Sequence, residues 1–505
     1  MSLVRGRATA AALLLLAGLV LFPAVAAAHQ RLLGTSPSRD SSVDEVPREL
    51  RLTFYEPVEL SFTTIRLVGP DGRTLTLGAL RTSADSANVL IVPITGQLVA
   101  GQYTVHWATA SRDGHPVQGE FGFAIADSAA GLDAHAGHRA GEFGGAVTAP
   151  GQDVPVPAHH PTLVGPGGFQ ADAPGYVAVR WATYLGILGV IGAAVFRLLV
   201  LTYLRRRWML ENQEWLGVAA GRAASLGVLF AAFTLMTGAA RLYAQSLAMH
   251  GSGHALDVER LLMMLQRTVW GWGWLIQMGA AALAVVGFAL ARRAPDGGRV
   301  AWSLAALAAL GLALTPALSG HAAAMTGSAG TLAIATHTLH VLAAAGWLGS
   351  LLVLLLAGVP AAMAAGEARR GENVAHLVRA FSPTAMLFAG VLVASGVLAA
   401  FLHSSSLDAL IGSRYGNLLF VKLGIFLLVF GTGAYNFLKV QPALGSEAST
   451  RHLKRSAGAE LAIAAAVLMV TAVLVATARP YEEEQQFAED ASTTTMEERT
   501  AETPR

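Results

Sequence analysis

The chain contains eight apolar stretches after residue 174, each close to the length that crosses a lipid bilayer. A transmembrane helix needs about 20 apolar residues. The stretches lie at about 176–203, 216–243, 269–291, 300–318, 331–358, 378–403, 417–438 and 457–477. Only 13% of the 505 residues are charged, about half the proportion found in ordinary soluble proteins. The sequence therefore predicts an all-α bundle of eight transmembrane helices in a lipid bilayer.

The loops between these stretches differ in their content of Lys and Arg. Basic clusters follow the first, third, fifth and seventh stretches, beginning with residues 205–207. The remaining loops contain only Arg260, Arg267 and Arg414. Because basic loops stay on the cytoplasmic side, we predict that the N-terminal region and the C-terminal tail both lie on the opposite side of the membrane.

The first 28 residues have the pattern of a secretory signal peptide. Arg5 and Arg7 precede an apolar run at 8–20, and Ala26 to Ala28 fit a cleavage site. A retained membrane anchor is the alternative. Cleavage after Ala28 would make His29 the first residue, with a free amine beside its imidazole. Two nitrogen ligands of this kind suit Cu(II).

Composition excludes several classes of site and partner. The chain has no Cys, which removes disulfides, thiol nucleophiles and thiolate metal ligands. The formal net charge of +2 leaves no basic excess for binding nucleic acid. Soft-metal chemistry would have to use the 15 His and 12 Met residues.

Residues 29–126 predict a separate β domain. Short runs of alternating apolar residues are separated by turn signals, which is typical of an antiparallel sandwich or a Greek-key barrel. The runs lie at 50–54, 64–68, 89–94, 103–109 and 120–125. Near the end of this region, Asp113 and His115 are two residues apart, so in an extended segment both side chains face the same side. This spacing favours a metal site, and a simple polar turn is the alternative.

Several segments of this region resemble the periplasmic copper-binding protein CopC. They are His29, the Phe54-Tyr-Glu-Pro-Val58 segment, Tyr103-Thr-Val-His-Trp107 and the run Ser111-Arg-Asp-Gly-His-Pro-Val117. The resemblance implies a cupredoxin-like β-barrel with a Cu(II) site made by His29, Asp113 and His115. It also suggests Glu56 as an auxiliary ligand. The domain has no Met after the start residue, so a Cu(I) site is not expected in it.

Two further segments flank the predicted membrane domain at 174–478. Residues 127–173 are rich in Gly, Ala and Pro and contain four His, which predicts a flexible linker. These His residues would catch metal transiently, or the segment is a polar spacer only. Residues 479–505 are predicted to form an acidic, disordered tail.

Histidine and methionine residues collect at the outer ends of the predicted spans. Ionisable groups at membrane depth are expensive, so each is a functional candidate. His337 and His340 are three residues apart and share one helical face. Imidazole and thioether together suit copper, with thioether favouring Cu(I). Hydrogen bonding to loops, and gap filling by Met, are the structural alternatives. The other candidates are His250, His254, His321, His403, Met249 and Met325.

Other polar residues in the spans have a structural interpretation. Asn436 and Glu460 fall at similar depth and are predicted to hydrogen-bond to each other, and Lys422 lies in the outer part of the seventh stretch. Arg222 and Arg241 flank the second stretch, where we expect both side chains to reach the lipid headgroups.

The membrane region resembles the CopD family of integral-membrane copper resistance proteins. The residues that carry the resemblance are His337-Thr-Leu-His340, Gly346-Trp-Leu-Gly349, the segment 415–423, Asn436, and Arg455 with Glu460. The resemblance implies an eight-span inner-membrane protein that handles copper, often fused to a CopC domain.

The sequence therefore predicts a copper-binding and copper-transport protein rather than an enzyme. Its outer domain would capture Cu(II), with periplasmic copper donors as partners, and its membrane domain would pass copper inward. No G-x-x-x-x-G-K-[ST] nucleotide motif is present, so a gradient or the membrane potential would drive movement. One alternative is a membrane redox protein with haem or copper, in which His337 or His340 would pair with a His of another helix such as His403. Another is a copper sensor or storage module without transport.

Overall fold

The computed structural model describes residues 32–54, 60, 63–84, 86, 88–110, 116–126, 173–207, 214–294, 298–320, 327–365, 369–403, 411 and 413–477. The described part of the chain divides into two compact units, one chiefly of strands and one chiefly of helices.

The β unit is a sandwich of two sheets. One sheet has the order β1-β3-β7-β6 and the other β2-β9-β8-β4-β5. The strands are β1 Leu32–Ser36, β2 Ser42–Val43, β3 Glu49–Phe54, β4 Thr64–Val68, β5 Thr74–Leu75, β6 Arg81–Thr82, β7 Val89–Pro93, β8 Gly101–Ala110 and β9 Pro116–Ile125. The predicted β-sandwich is confirmed. One pair departs from the antiparallel expectation, because β2 runs parallel to β9.

Alternation along the strands builds the core of this sandwich. In β3, Leu50, Leu52 and Phe54 are buried while the residues between them are more exposed. Such a period of two places every second side chain on the inner face. Buried aromatic residues of β8 and β9 fill the space opposite, and the rings of Tyr103 and Phe123 stack 5.3 Å apart.

The helical unit contains eight helices long and apolar enough to cross a membrane, as predicted. Together with a short helix, α3, they are α1 Pro174–Arg207, α2 Glu214–His250, α3 Val258–Arg267, α4 Val269–Arg293, α5 Arg299–Leu318, α6 Gly327–Ala364, α7 Arg370–His403, α8 Arg414–Ala443 and α9 Glu447–Leu474. Helix α3 was not expected from the sequence. Its start is capped by Asp257, whose side chain accepts a hydrogen bond from the Glu259 backbone N–H at 3.0 Å.

Small residues allow these helices to approach one another closely. A Cβ atom added to Gly192 of α1 would lie 2.2 Å from the carbonyl carbon of Gly349 in α6. Such small-residue contacts are the usual means of bringing helix backbones together in a membrane. Gly349 ends the π-helical segment Ala345–Gly349, and a second π-helical segment, Asn436–Val440, lies in α8.

Candidate metal centre

The four predicted Cu(II) ligands, His29, Glu56, Asp113 and His115, lie outside the described residues. Their nearest described neighbours nevertheless meet at one end of the sandwich. Leu32, three residues after His29, pairs with Phe54, two residues before Glu56. The Phe54 ring packs edge-on against Trp107 of the opposite sheet, with centroids 5.3 Å apart.

The described ends of β8 and β9 flank the segment that contains the other two predicted ligands in the sequence. The last described pair of these strands is Ala110 with Pro116, so residues 111–115 connect the strands there. A hydrogen bond of 2.9 Å between the Thr63 and Thr109 hydroxyls fixes this end of β8. Gly119 of β9 lies under the Trp107 indole, and a Cβ there would be 2.7 Å from Trp107 Cζ2. These contacts pack the described end of β8 against its neighbours.

In the helical unit, His337 and His340 lie side by side on α6, as their spacing predicted. Their ring centroids are 6.5 Å apart, with planes inclined by 29°. Helix α7 passes close to the second ring. A Cβ added to Gly396 would lie 3.3 Å from His340 Cε1, so this glycine makes room for the imidazole.

Ser395 contacts the imidazole of His340. Its Oγ lies 3.1 Å from His340 Nδ1 and 2.7 Å from the Val391 carbonyl oxygen. The donor and acceptor roles of Oγ and Nδ1 follow the tautomer of His340. In the Nδ1–H tautomer, Ser395 Oγ accepts from Nδ1, and the lone pair lies on Nε2, where a metal ligand requires it.

The remaining outer candidates are spread along the chain. His250 is the last residue of α2, Met249 precedes it, and His254 is exposed in the following turn. His403 ends α7, and its side chain lies outside the described residues, as do His321 and Met325. Within the described ranges, no group of three or more His, Asp or Glu side chains is arranged to hold a metal ion. Of the predicted path, the structure brings His337 and His340 together.

A second polar group surrounds Glu460 of α9. The side chain is 2% exposed, and its Oε2 accepts a hydrogen bond from Asn436 Nδ2 at 2.8 Å. The predicted contact between these two residues is therefore confirmed. The Trp347 side chain also hydrogen-bonds to the carboxylate. Sequence reasoning missed Trp347, although it lies in the Gly346–Gly349 motif.

Two arginines are buried in the helical unit. Arg241, 4% exposed, donates from Nη1 to Gln277 Oε1 at 3.1 Å and lies 5.4 Å from the Trp270 ring centroid. The expectation that Arg241 reaches the headgroups is wrong, because these partners hold it inside the bundle. Arg180 of α1, which the sequence analysis did not single out, is 3% exposed and donates to the Ala472 carbonyl oxygen at 2.7 Å.

Three family models match consecutive parts of the chain. The CopC domain matches residues 32–126, the N-terminal domain of copper resistance protein D-like proteins matches 171–331, and copper resistance protein D matches 375–474. The chain belongs to the CopC–CopD fusions. Its CopC domain is the β-sandwich, and its CopD region contains the eight long helices of a multi-pass membrane protein.

Similar proteins include both fused and separate chains. Copper transport protein CutJ of Bacillus subtilis is 27% identical over 481 residues, which cover 93% of this chain and 78% of that protein. Copper resistance protein D of Pseudomonas syringae pv. tomato is 28% identical over 59% of this chain and 94% of its own length. Copper resistance protein C of Escherichia coli is 31% identical over 22% of this chain and 94% of its own length. Among solved structures, CopC from Methylosinus trichosporium OB3b is 28% identical, covers 19% of this chain and 94% of its own, and has a TM-score of 0.18.

Proposed function

We propose that this CopC–CopD fusion carries copper across the bacterial inner membrane, in the inward direction. The observation that best supports the proposal is the His337–His340 pair in the CopD region, where the two rings lie 6.5 Å apart and Ser395 contacts Nδ1 of His340. Neutral imidazole is an ordinary ligand of both copper oxidation states. Names of relatives that refer to copper transport and copper resistance agree with this function.

Capture takes place in the CopC domain. His29, Asp113 and His115 bind Cu(II) there, with Glu56 as an auxiliary ligand. The convergence of Leu32, Phe54 and Trp107 at one end of the sandwich supports this ligand set, because it brings the chain segments that carry these residues together. Two imidazoles, an amine and a carboxylate match the nitrogen and oxygen preference of Cu(II).

Transfer takes place in the CopD region. Copper enters from the periplasmic side past His250, His254, His321, His403, Met249 and Met325, and reaches His337 and His340. Thioether groups along this route favour Cu(I). The distribution of basic residues supports the orientation, with both chain ends periplasmic. The corresponding division is signal peptide 1–28, CopC domain 29–126, linker 127–173, CopD region 174–478 and tail 479–505.

The test is copper uptake into proteoliposomes that contain the full-length protein, normalised to the amount of protein inserted. We expect the double variant His337→Ala/His340→Ala to lose at least nine-tenths of uptake, on the order of a tenfold change, since Ala preserves the helix. The matched control is His376→Ala/His452→Ala. His376 and His452 lie near the start of α7 and α9, at the predicted cytoplasmic side, and His452 contacts Tyr435 rather than the histidine pair.

The control should retain most of its uptake. Full normalised uptake by the His337/His340 variant would exclude the pair from the pathway. Copper binding without any uptake by the unmodified protein would favour a sensor or storage role.

A further inference from the structure

We propose that Glu460 is a proton-binding site that couples the CopD region to the proton gradient, with Asn436 as its partner in both protonation states. The coupling part of this proposal rests on the transport function above. The proton site itself does not, and it is tested separately.

The partners of Glu460 are neutral. Its carboxylate bonds to the Asn436 amide and the Trp347 side chain, and Gly433 of α8 packs against it, with Glu460 Oε1 3.3 Å from the position a Cβ would take. No described Lys, Arg or His forms an ion pair with it. A buried carboxylate without a counter-ion is costly at membrane depth. Such a group is stabilised by taking up a proton.

Most of the charged side chains considered on the surrounding helices are exposed. On its own helix Lys454 and Arg455 are exposed, as are Lys439 on α8 and Arg379 on α7. His376 on α7 is partly buried and His452 on α9 is exposed beside Tyr435. Lys422 lies 14 residues before Asn436 on α8, about 21 Å along a helix at 1.5 Å per residue. None of these groups forms an ion pair with Glu460 among the described residues.

Asn436 suits a group that changes its protonation state. An amide has both a donor and an acceptor. In the structure, Asn436 Nδ2 donates to Glu460, while its Oδ1 is buried and has no hydrogen-bond partner among the described residues. A half-turn of the amide would present Oδ1 to a protonated Glu460, which would then be the donor. A Lys or Arg in this place would instead favour only the ionised carboxylate.

A cavity adjoins this pair. It has a volume of about 260 Å³ and lies between α6, α7, α8 and α9, with Glu460 and Asn436 in its wall. That volume is enough for several water molecules, at about 30 Å³ each. Ser382 and Gln441 add polar groups, and Gln441 lies near the end of α8. In each cycle, water delivers a proton that forms one O–H bond on Glu460, and the same bond breaks when the proton leaves.

The Glu460 site is tested by infrared spectroscopy of the full-length protein in lipid, titrated with pH. We expect a carboxylic-acid carbonyl band that appears as the pH falls and is missing in Glu460→Gln. The control Glu372→Gln, at an exposed acid in the first turn of α7, should keep the band. Asn436→Leu should shift the pH at which the band appears, because it removes the partner of both states. A spectrum with no pH-dependent band that is specific to Glu460 would overturn the proposal.

Coupling is tested in proteoliposomes with an imposed pH gradient, by following copper and proton entry together. The unmodified protein should show copper uptake that depends on the gradient at least several-fold, and Glu460→Gln should lose that dependence. Gradient-dependent uptake by Glu460→Gln at the unmodified level would overturn the coupling. Absence of copper uptake by the unmodified protein would refute the transport function instead, and the infrared result would still decide the proton site.

Discussion

Single side chains set the chemistry of the histidine pair in the CopD region. Ser395 holds His340 through Nδ1, and Gly396 leaves space for the ring. A partner of this kind orients a metal-binding imidazole and fixes its tautomer. Without it, the His340 ring would turn more freely.

Ser395→Ala should therefore weaken copper binding by the purified full-length protein by about 10- to 100-fold, which is typical for the loss of such a partner. The matched control is Ser382→Ala, since Ser382 lies on the same helix and donates to the Val378 carbonyl oxygen without contacting either histidine. Equilibrium titration with a Cu(I) competitor measures both affinities. Equal affinities in the two variants would contradict the role given to Ser395.

Lys422 allows a second test of how a single side chain affects the histidine pair. It is partly buried in α8 and acts electrostatically on His340. A positive charge near the pair opposes the binding of another cation. Lys422→Met keeps a similar length without the charge. It should raise copper affinity several-fold in the same titration, and the increase should be smaller in the double variant Lys422→Met/Ser395→Ala. An unchanged or lower affinity would mean that Lys422 helps to bind copper.

The helices and strands show which parts of the fold could be predicted from the sequence. The eight spans and the main strands were predictable because apolar length and alternation are local properties of the chain. The Asn436–Glu460 contact was predictable because buried polar groups need partners. Burial of Arg241 was not, since it depends on Gln277, 36 residues away on α4. Hydropathy also carries no signal for the π-helical segments that hold Trp347 and Asn436.

The β8–β9 hairpin flanks the segment that contains two of the predicted Cu(II) ligands, Asp113 and His115, and Gly119 allows its packing. A Cβ at residue 119 would be 2.7 Å from Trp107 Cζ2, so Gly119→Ala should destabilise the CopC domain by about 1–3 kcal/mol. It should also lower Cu(II) affinity, because Trp107 packs beside the strand ends. Gly34→Ala in β1 is the control, since its Cβ would meet nothing within 4 Å. Thermal unfolding and Cu(II) titration of residues 29–126 measure the two effects, and a Gly119 variant as stable as the control would contradict the packing argument.

At the scale of the whole molecule, one chain carries both proposed steps, capture in the CopC domain and passage through the CopD region. Selection of copper at low concentration belongs to the first step and the maximum rate to the second. A defect in capture should therefore be overcome by added copper, whereas a defect in the His337–His340 pair should persist at any concentration. This difference separates the two parts of the proposed pathway in a single assay.

The free amine of His29 provides the sharpest test of that division. We expect the mature protein to begin at His29, as mass spectrometry can show, because the amine and the imidazole together chelate Cu(II). One Ala inserted between Ala28 and His29, with cleavage before the insert, would place the His29 nitrogen in a peptide bond and remove one ligand while leaving the fold intact. The copper concentration for half-maximal uptake should rise at least tenfold, with the maximum rate unchanged. An insert between Gln30 and Arg31 leaves the amine free and is the control. If both insertions leave the half-maximal concentration unchanged, copper enters the CopD region without capture at His29.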